Sequence, residues 1–347
     1  MKVKAGLKSV AAAAGVSVAT VSRALDPLKS KRISSGTLQR VLNACEKVDY
    51  KTNSWARRLK RQRNEMLSFV LPRNIFYPQP CEFGGSGYPF MKIIEGMTEE
   101  ARKWRYDIKI VPVPDPSCQT AVSEICGAGN FDGVILFGLT ELENIRSGLL
   151  DREIPHAAIS TYRLDTEGLT EFSADSGTGV FQAVKHLLGK GHSRIAFLHN
   201  SNTGLKTRAP AGWQRFSGYL EAMTEAGLYS GDMIFQTATV IELKKWLSGF
   251  DGEFPFSAVV CVNDAMARNL INELAALDVS VPGDIAVTGY DNDPNFTGGE
   301  PELSSVDTHL KELGIESVRA LIQSLEYRQP LGRGQMIRST FIERGSA

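Results

Sequence analysis

The 347-residue sequence predicts an α/β protein in which a small N-terminal helix-turn-helix headpiece is joined to a body of two doubly wound parallel-sheet subdomains. Three observations predict this. From Met66 onward, short apolar runs alternate with segments of helical period, the pattern of a parallel sheet covered by helices. Two such series of about 100 residues follow one another, so two similar subdomains with a cleft between them are expected. Residues 1–63 show only helical patterning and hold 15 Lys/Arg against 3 Asp/Glu, whereas the remainder holds 24 against 36.

The overall charge is zero, yet it divides into a +12 segment on a −12 body. A basic module of this size points to a polyanionic partner. Apolar residues make up 42% and charged residues 22%, the balance of a soluble globular chain. No apolar run approaches the roughly 20 residues that span a bilayer. The start, Met1-Lys2-Val3-Lys4, lacks the apolar core and cleavage site of a secretory signal, so a cytoplasmic location is expected. The five cysteines are scattered and form no C-x-x-C pair, which argues for a reducing compartment and against disulfides or a structural zinc.

The headpiece elements follow from local chemistry. Leu7, Val10 and Ala14 repeat at helical spacing, and Gly15 is a helix stop. Ser17 is an N-cap for a second short helix from Val18 to Leu25, with Val21 and Leu25 on one face. Two short helices around a tight turn are the helix-turn-helix pattern, whose second helix enters the major groove N-terminus first. Val18 and Ala19 are small enough to approach thymine methyls. Ser17, Thr20 and Ser22 can bond phosphates or bases, and Arg23 suits guanine or phosphate. A third helix, Ser35 to Val48, presents Leu38, Val41, Leu42, Cys45 and Val48 as a core stripe.

In the body, strands are expected at Met66–Leu71, Asp107–Val111, Asp132–Phe137, His156–Ile159, Phe172–Ala174, Arg194–His199, Met233–Thr237, Ala258–Val262 and Ile285–Gly289. Helices are expected between them at Pro89–Trp104, Gln119–Ala128, Glu141–Leu149, Gly177–Gly189, Trp213–Ala226, Ile241–Phe250 and Asp264–Leu277.

The run Ser9-Val10-Ala11, then Ala14-Gly15-Val16-Ser17-Val18-Ala19-Thr20-Val21-Ser22-Arg23-Ala24-Leu25, resembles the DNA-binding headpiece of the lactose-repressor (LacI/GalR) family. Tyr50-x-x-Asn53-x-x-Ala56-Arg57-x-Leu59 resembles that family's hinge. The resemblance continues through His186–Phe197, Arg215-x-x-Gly218-Tyr219, the Asn263-Asp264 pair, Val281–Asp291 and Pro301–Val306. It departs at Asp49, where a glycine is common, and at Thr52, where a proline is frequent.

This resemblance implies a periplasmic-binding-protein-like body and a dimeric transcriptional repressor on a near-palindromic double-stranded DNA operator. It implies that Asn53, Ala56, Arg57 and Leu59 also serve DNA binding, with the hinge ordering on DNA and Leu59 wedging into the minor groove. An effector, by implication a sugar or sugar derivative, would bind in the interdomain cleft. By position its contacts are Phe90, Asp175, Arg215, Asp264 and Asp291, with Asn263, Tyr162 and Trp213 beside them. The ending Thr340–Ala347 leaves no tetramerising helix, so a homodimer is expected.

The expected domains are 1–49 (headpiece), 50–63 (hinge and linker) and 64–347 (effector binding and dimerisation). The first subdomain is expected at about 64–165 plus 295–326 and the second at about 166–294 plus 327–347. An enzyme is not expected, nor are a cofactor, a metal or a membrane partner. Gly84–Gly87 and Gly177-Thr178-Gly179 lack dinucleotide or P-loop spacing, and His186 and His192 lack metal-ligand spacing. A periplasmic-type sugar-binding protein and a ligand-independent global regulator are the alternatives.

Overall fold

The computed structural model describes residues 6–26, 29–50, 58, 62–73, 88–113, 123, 125–127, 130–138, 143–161, 168–200 and 210–347. The headpiece has three helices, α1 (Leu7–Ala14), α2 (Val18–Ala24) and α3 (Ser35–Lys47). Gly15 ends α1 in the left-handed region at φ 65°, where a side chain is disfavoured. Val10, Ala14, Val21, Ala24 and Val41 close a small core of their own. Asp49 takes the left-handed conformation at φ 49°, so the residue that replaces the family's glycine keeps the turn after α3.

The body contains two six-stranded sheets. The first is ordered β2-β1-β3-β4-β5-β11, from β1 (Met66–Pro72), β2 (Asp107–Val113), β3 (Gly133–Phe137), β4 (His156–Ser160), β5 (Glu171–Asp175) and β11 (Gly334–Arg338). All its pairings are parallel. The second is ordered β7-β6-β8-β9-β10-β12, from β6 (Ile195–His199), β7 (Ile234–Gln236), β8 (Ala258–Cys261), β9 (Ala286–Tyr290), β10 (Ser304–Asp307) and β12 (Thr340–Ile342). Only β12 runs antiparallel, against β10. The central strands are apolar along their length because helices bury both faces, and each sheet has its own core.

The expected elements recur with ends shifted by a few residues. The expected helix over 119–128 lies mostly outside the described residues, although 123 and 125–127 are helical. The subdomain boundaries differ from those expected. β5 pairs with β4, so it belongs to the first sheet and does not open the second. β10 pairs with β9 in the second sheet, and β11 pairs with β5 in the first. The chain therefore crosses between subdomains three times: after Asp175, after β10, and between β11 and β12. No linker marks the first crossing, because Asp175 ends β5 and also caps helix Ser176–Gly189, accepting from Thr178 N at 3.1 Å.

Helices Tyr88–Trp104 and Leu310–Tyr327 pack along each other on the first sheet. Their backbones touch. A Cβ on Gly96 would run into the Lys311 carbonyl oxygen, and one on Gly314 into that of Ile93. Ion pairs from Lys311 to Glu95 (2.8 Å) and Glu99 (2.9 Å) and from Arg319 to Glu100 (3.1 Å) flank the contact.

Candidate functional site

Two surfaces carry the residues singled out above. On the headpiece, Ser17 caps α2 by accepting from Thr20 N at 3.0 Å. Val21 and Ala24 face the core, which turns Ser17, Val18, Ala19, Ser22 and Arg23 outward, with Thr20 half-buried between them. Val18 is 41% exposed at the first position of its helix, an apolar side chain on a basic surface without a core to fill. Arg23 Nε donates to the Ala19 carbonyl at 3.3 Å, which lays its guanidinium along the same face.

Asn53, Ala56, Arg57 and Leu59 lie outside the described residues. Around them, Arg58 pairs with Asp107 at 2.5 Å. Arg63 donates to Tyr106 Oη at 3.3 Å and to the Leu325 carbonyl, and lies 3.6 Å from Glu326. Asp132 then accepts from the backbone of Asn64 (2.9 Å) and Glu65 (2.6 Å), which fixes the entry to β1.

In the body, Arg215, Asn263, Asp264 and Asp291 gather at the carboxyl ends of β8 and β9, where ligands sit in open parallel sheets. Arg215 Nη1 donates to the Val262 carbonyl at 2.7 Å, and Nη2 lies 3.7 Å from Asp291. Its guanidinium stacks on the Tyr290 ring, 3.8 Å from the centroid, and its buried Nε finds no hydrogen-bond partner among the described residues. Burial raises the Asp291 carboxyl to about 6, against the opposing pull of Arg215. Asp291 itself is held at φ 106°, a strained conformation for a residue with a side chain. Beside it, a cavity of about 480 Å³ is lined by Lys92, Asp291, Asn292, Asp307 and His309, among others.

Asp264 is buried at the first position of helix Asp264–Ala275. It is 1% exposed, and its two oxygens accept from Ser305 Oγ (2.6 Å) and Asp293 N (2.7 Å). Burial, then the neighbouring Asp291 charge, raise it to about 8. Asn263 caps helix Asp264–Ala275 by accepting from Met266 N at 2.8 Å. Asp175 is a cap, as described, and also accepts from the Thr178 hydroxyl at 2.5 Å.

Phe90 belongs to the other subdomain, stacked on Phe69 at 5.8 Å and tilted against Phe137 at 6.2 Å. Trp213 packs on Phe216 at 5.7 Å, two residues before Arg215 in the same helix. Tyr162 lies outside the described residues. Tyr290, Asp293 and Ser305 were not singled out from sequence. Tyr290 adjoins Asp291 at a strand end, which was a usable signal; Ser305 comes close only through folding.

Residues 6–53 match the description "Bacterial regulatory proteins, lacI family", and residues 184–347 match "Periplasmic binding protein-like domain". The chain is 27% identical to the HTH-type transcriptional regulator RegA of Clostridium saccharobutylicum, with 98% of each chain covered. It is 29% identical to the HTH-type transcriptional regulator DegA of Bacillus subtilis, covering 91% of this chain and 90% of that one. Among solved structures, the regulator CelR in complex with cellobiose matches at TM-score 0.66 and 22% identity, covering 99% and 100%. The lac repressor dimer bound to operator and the anti-inducer ONPF matches at TM-score 0.66 and 19% identity, covering 99% of each chain. No helix among the described residues is long and apolar enough to cross a membrane. A headpiece built to present α2, a two-sheet body crossed three times, and regulator relatives along the whole length lead to one conclusion: the chain joins a DNA-binding domain of the bacterial lacI regulator family to a periplasmic-binding-protein-like body, the build of its transcriptional-regulator relatives.

Proposed function

We propose that this regulator is a cytoplasmic homodimeric repressor whose operator affinity is set by a sugar or sugar derivative in the cleft. The observation that carries this reading is Arg215 held between the Tyr290 ring and Asp291. A guanidinium and a carboxylate side by side can donate to and accept from vicinal hydroxyls, and aromatic faces suit the C–H surface of a sugar ring. CelR binds cellobiose on the same fold, which supports the ligand class.

In this reading the effector contacts are Phe90, Tyr162, Asp175, Trp213, Arg215, Asn263 and Asp291, and Asp264 holds the site's frame. Ser17, Val18, Ala19, Thr20, Ser22 and Arg23 meet the major groove, and Asn53, Ala56, Arg57 and Leu59 the hinge region of the operator. The headpiece takes 1–49 and the hinge 50–63, with the remainder binding effector and partner subunit. The chain regulates and does not catalyse.

The test is a pull-down of fragmented genomic DNA followed by sequencing, then thermal-shift screening against a sugar and nucleobase panel. Recovery of a short near-palindrome and a stabilising sugar that alters its affinity are expected. Recovery of a palindrome that no sugar affects would overturn the effector assignment.

A further inference from the structure

Helix Leu310–Tyr327 has a second relationship that the effector reading does not use. Its first turns line the 480 Å³ cavity through Leu310, Lys311, Glu312 and Ile315. Its last turn meets the segment that leaves the headpiece. There Arg63 donates to the Leu325 carbonyl and to Tyr106 Oη (3.3 Å), and faces Glu326 at 3.6 Å. Tyr106 Oη in turn donates to Glu326 at 3.0 Å.

This is a built receptor for a guanidinium. The last carbonyls of a helix lack intrahelical donors, and that end carries the negative pole of the helix dipole. A carboxylate and a buried tyrosine complete the acceptor set, and the planar fork of arginine can reach two acceptors at once. The helix between the two ends spans about 27 Å at 1.5 Å per residue. The backbone contacts at Gly96 and Gly314 key it to helix Tyr88–Trp104, so neither helix can slide without the other.

We propose that Arg63 is the positioning residue that couples the cleft to the DNA-binding segment. A displacement of the cavity-facing end of helix Leu310–Tyr327 is passed along the helix to its C-terminus and, through Arg63, to the chain entering the hinge. The proposal rests on the DNA-binding, ligand-controlled reading above.

Coupling between two sites is reciprocal, so DNA must alter the cavity end of the helix as the effector alters DNA affinity. The test is hydrogen–deuterium exchange of the full-length protein with and without the duplex recovered by the genomic pull-down. In the wild type, DNA is expected to slow exchange in α1–α3 and to change it about fivefold or more over 307–316, at the lower end of common coupling. In Arg63→Met the headpiece protection stays and the change over 307–316 is lost. Arg63→Lys, which keeps the charge without the fork, recovers part of it. Should Arg63→Met fold poorly, Glu326→Gln weakens the same clamp from the other side and is expected to reduce the response in the same direction. A response over 307–316 that is as large in these variants as in the wild type overturns the proposal. So does its absence in a wild type whose headpiece is protected. A headpiece left unprotected in the wild type overturns the DNA-binding reading instead.

Discussion

Asp264 accepts a hydrogen bond from the Ser305 hydroxyl at 2.6 Å, joining the start of a helix to a strand 41 residues later. The same carboxyl holds the backbone of Asp293. It therefore ties three segments together. Asp264→Ala removes the acceptor of the Asp293 N–H and of the Ser305 hydroxyl proton, at about 1–3 kcal/mol for each such group. Urea denaturation is expected to show that loss.

The same residue gives a pH signature. Its folded pKa of about 8 lies above the ordinary 3.8, so the folded state holds the proton where the unfolded state has released it. The corresponding stability is fully present below the ordinary value and is lost as pH rises towards about 8. Asp264→Asn removes this titration. Its stability, measured by denaturation at pH 5 and pH 8, is expected to fall less between the two than that of the wild type.

Val18 and Val21 separate reading from folding. Val18 is exposed, so Val18→Ser is expected to change stability by no more than about 0.5 kcal/mol. Operator affinity, measured by fluorescence anisotropy, should fall all the same. Val21 is fully buried, and Val21→Ala is expected to lower headpiece stability by about 1–3 kcal/mol. Equal effects of both changes on stability would count against α2 as the reading helix.

Arg215→Met is expected to abolish the thermal shift produced by any effector the panel identifies, while DNA binding persists. Asp291 must be ionised to pair with Arg215, and its carboxyl is raised to about 6. Effector affinity, measured by calorimetry, should therefore weaken as pH falls through about 6.

Gly314→Ala places a methyl against the Ile93 carbonyl where two helices meet. The helices must separate, and thermal unfolding should show a loss of about 1–3 kcal/mol or more. A fully stable variant would refute the close packing.

The alternation of strands and helices was legible because buried parallel strands are apolar throughout. The helix cap at Ser17 was legible, because one short side chain decides the matter. The expected subdomain bounds contain three crossings, but the place of the first was not legible, because Asp175 serves strand and helix at once and no change of composition intervenes. β11 escaped notice for another reason: it is an edge strand with exposed residues such as Met336, and so lacks an apolar run. In the cleft, the strand-end position of Asp291 and the place of Arg215 near the start of its helix indicated which side chains gather there. The distinction between Asp264 and Asn263 depended on Ser305 and Asp293, partners that sequence spacing does not reveal.

Because the chain passes between the sheets three times, neither subdomain is encoded by one uninterrupted stretch. A premature stop after Tyr327 would delete β11 from one sheet and β12 from the other in a single event. It would also remove Ser346, whose hydroxyl donates to the Val287 carbonyl at 2.6 Å and accepts from Ser304 N at 2.9 Å. A short C-terminal truncation is therefore a lesion to both halves of the body, and recombination that shuffles effector specificity must exchange several separate gene segments together.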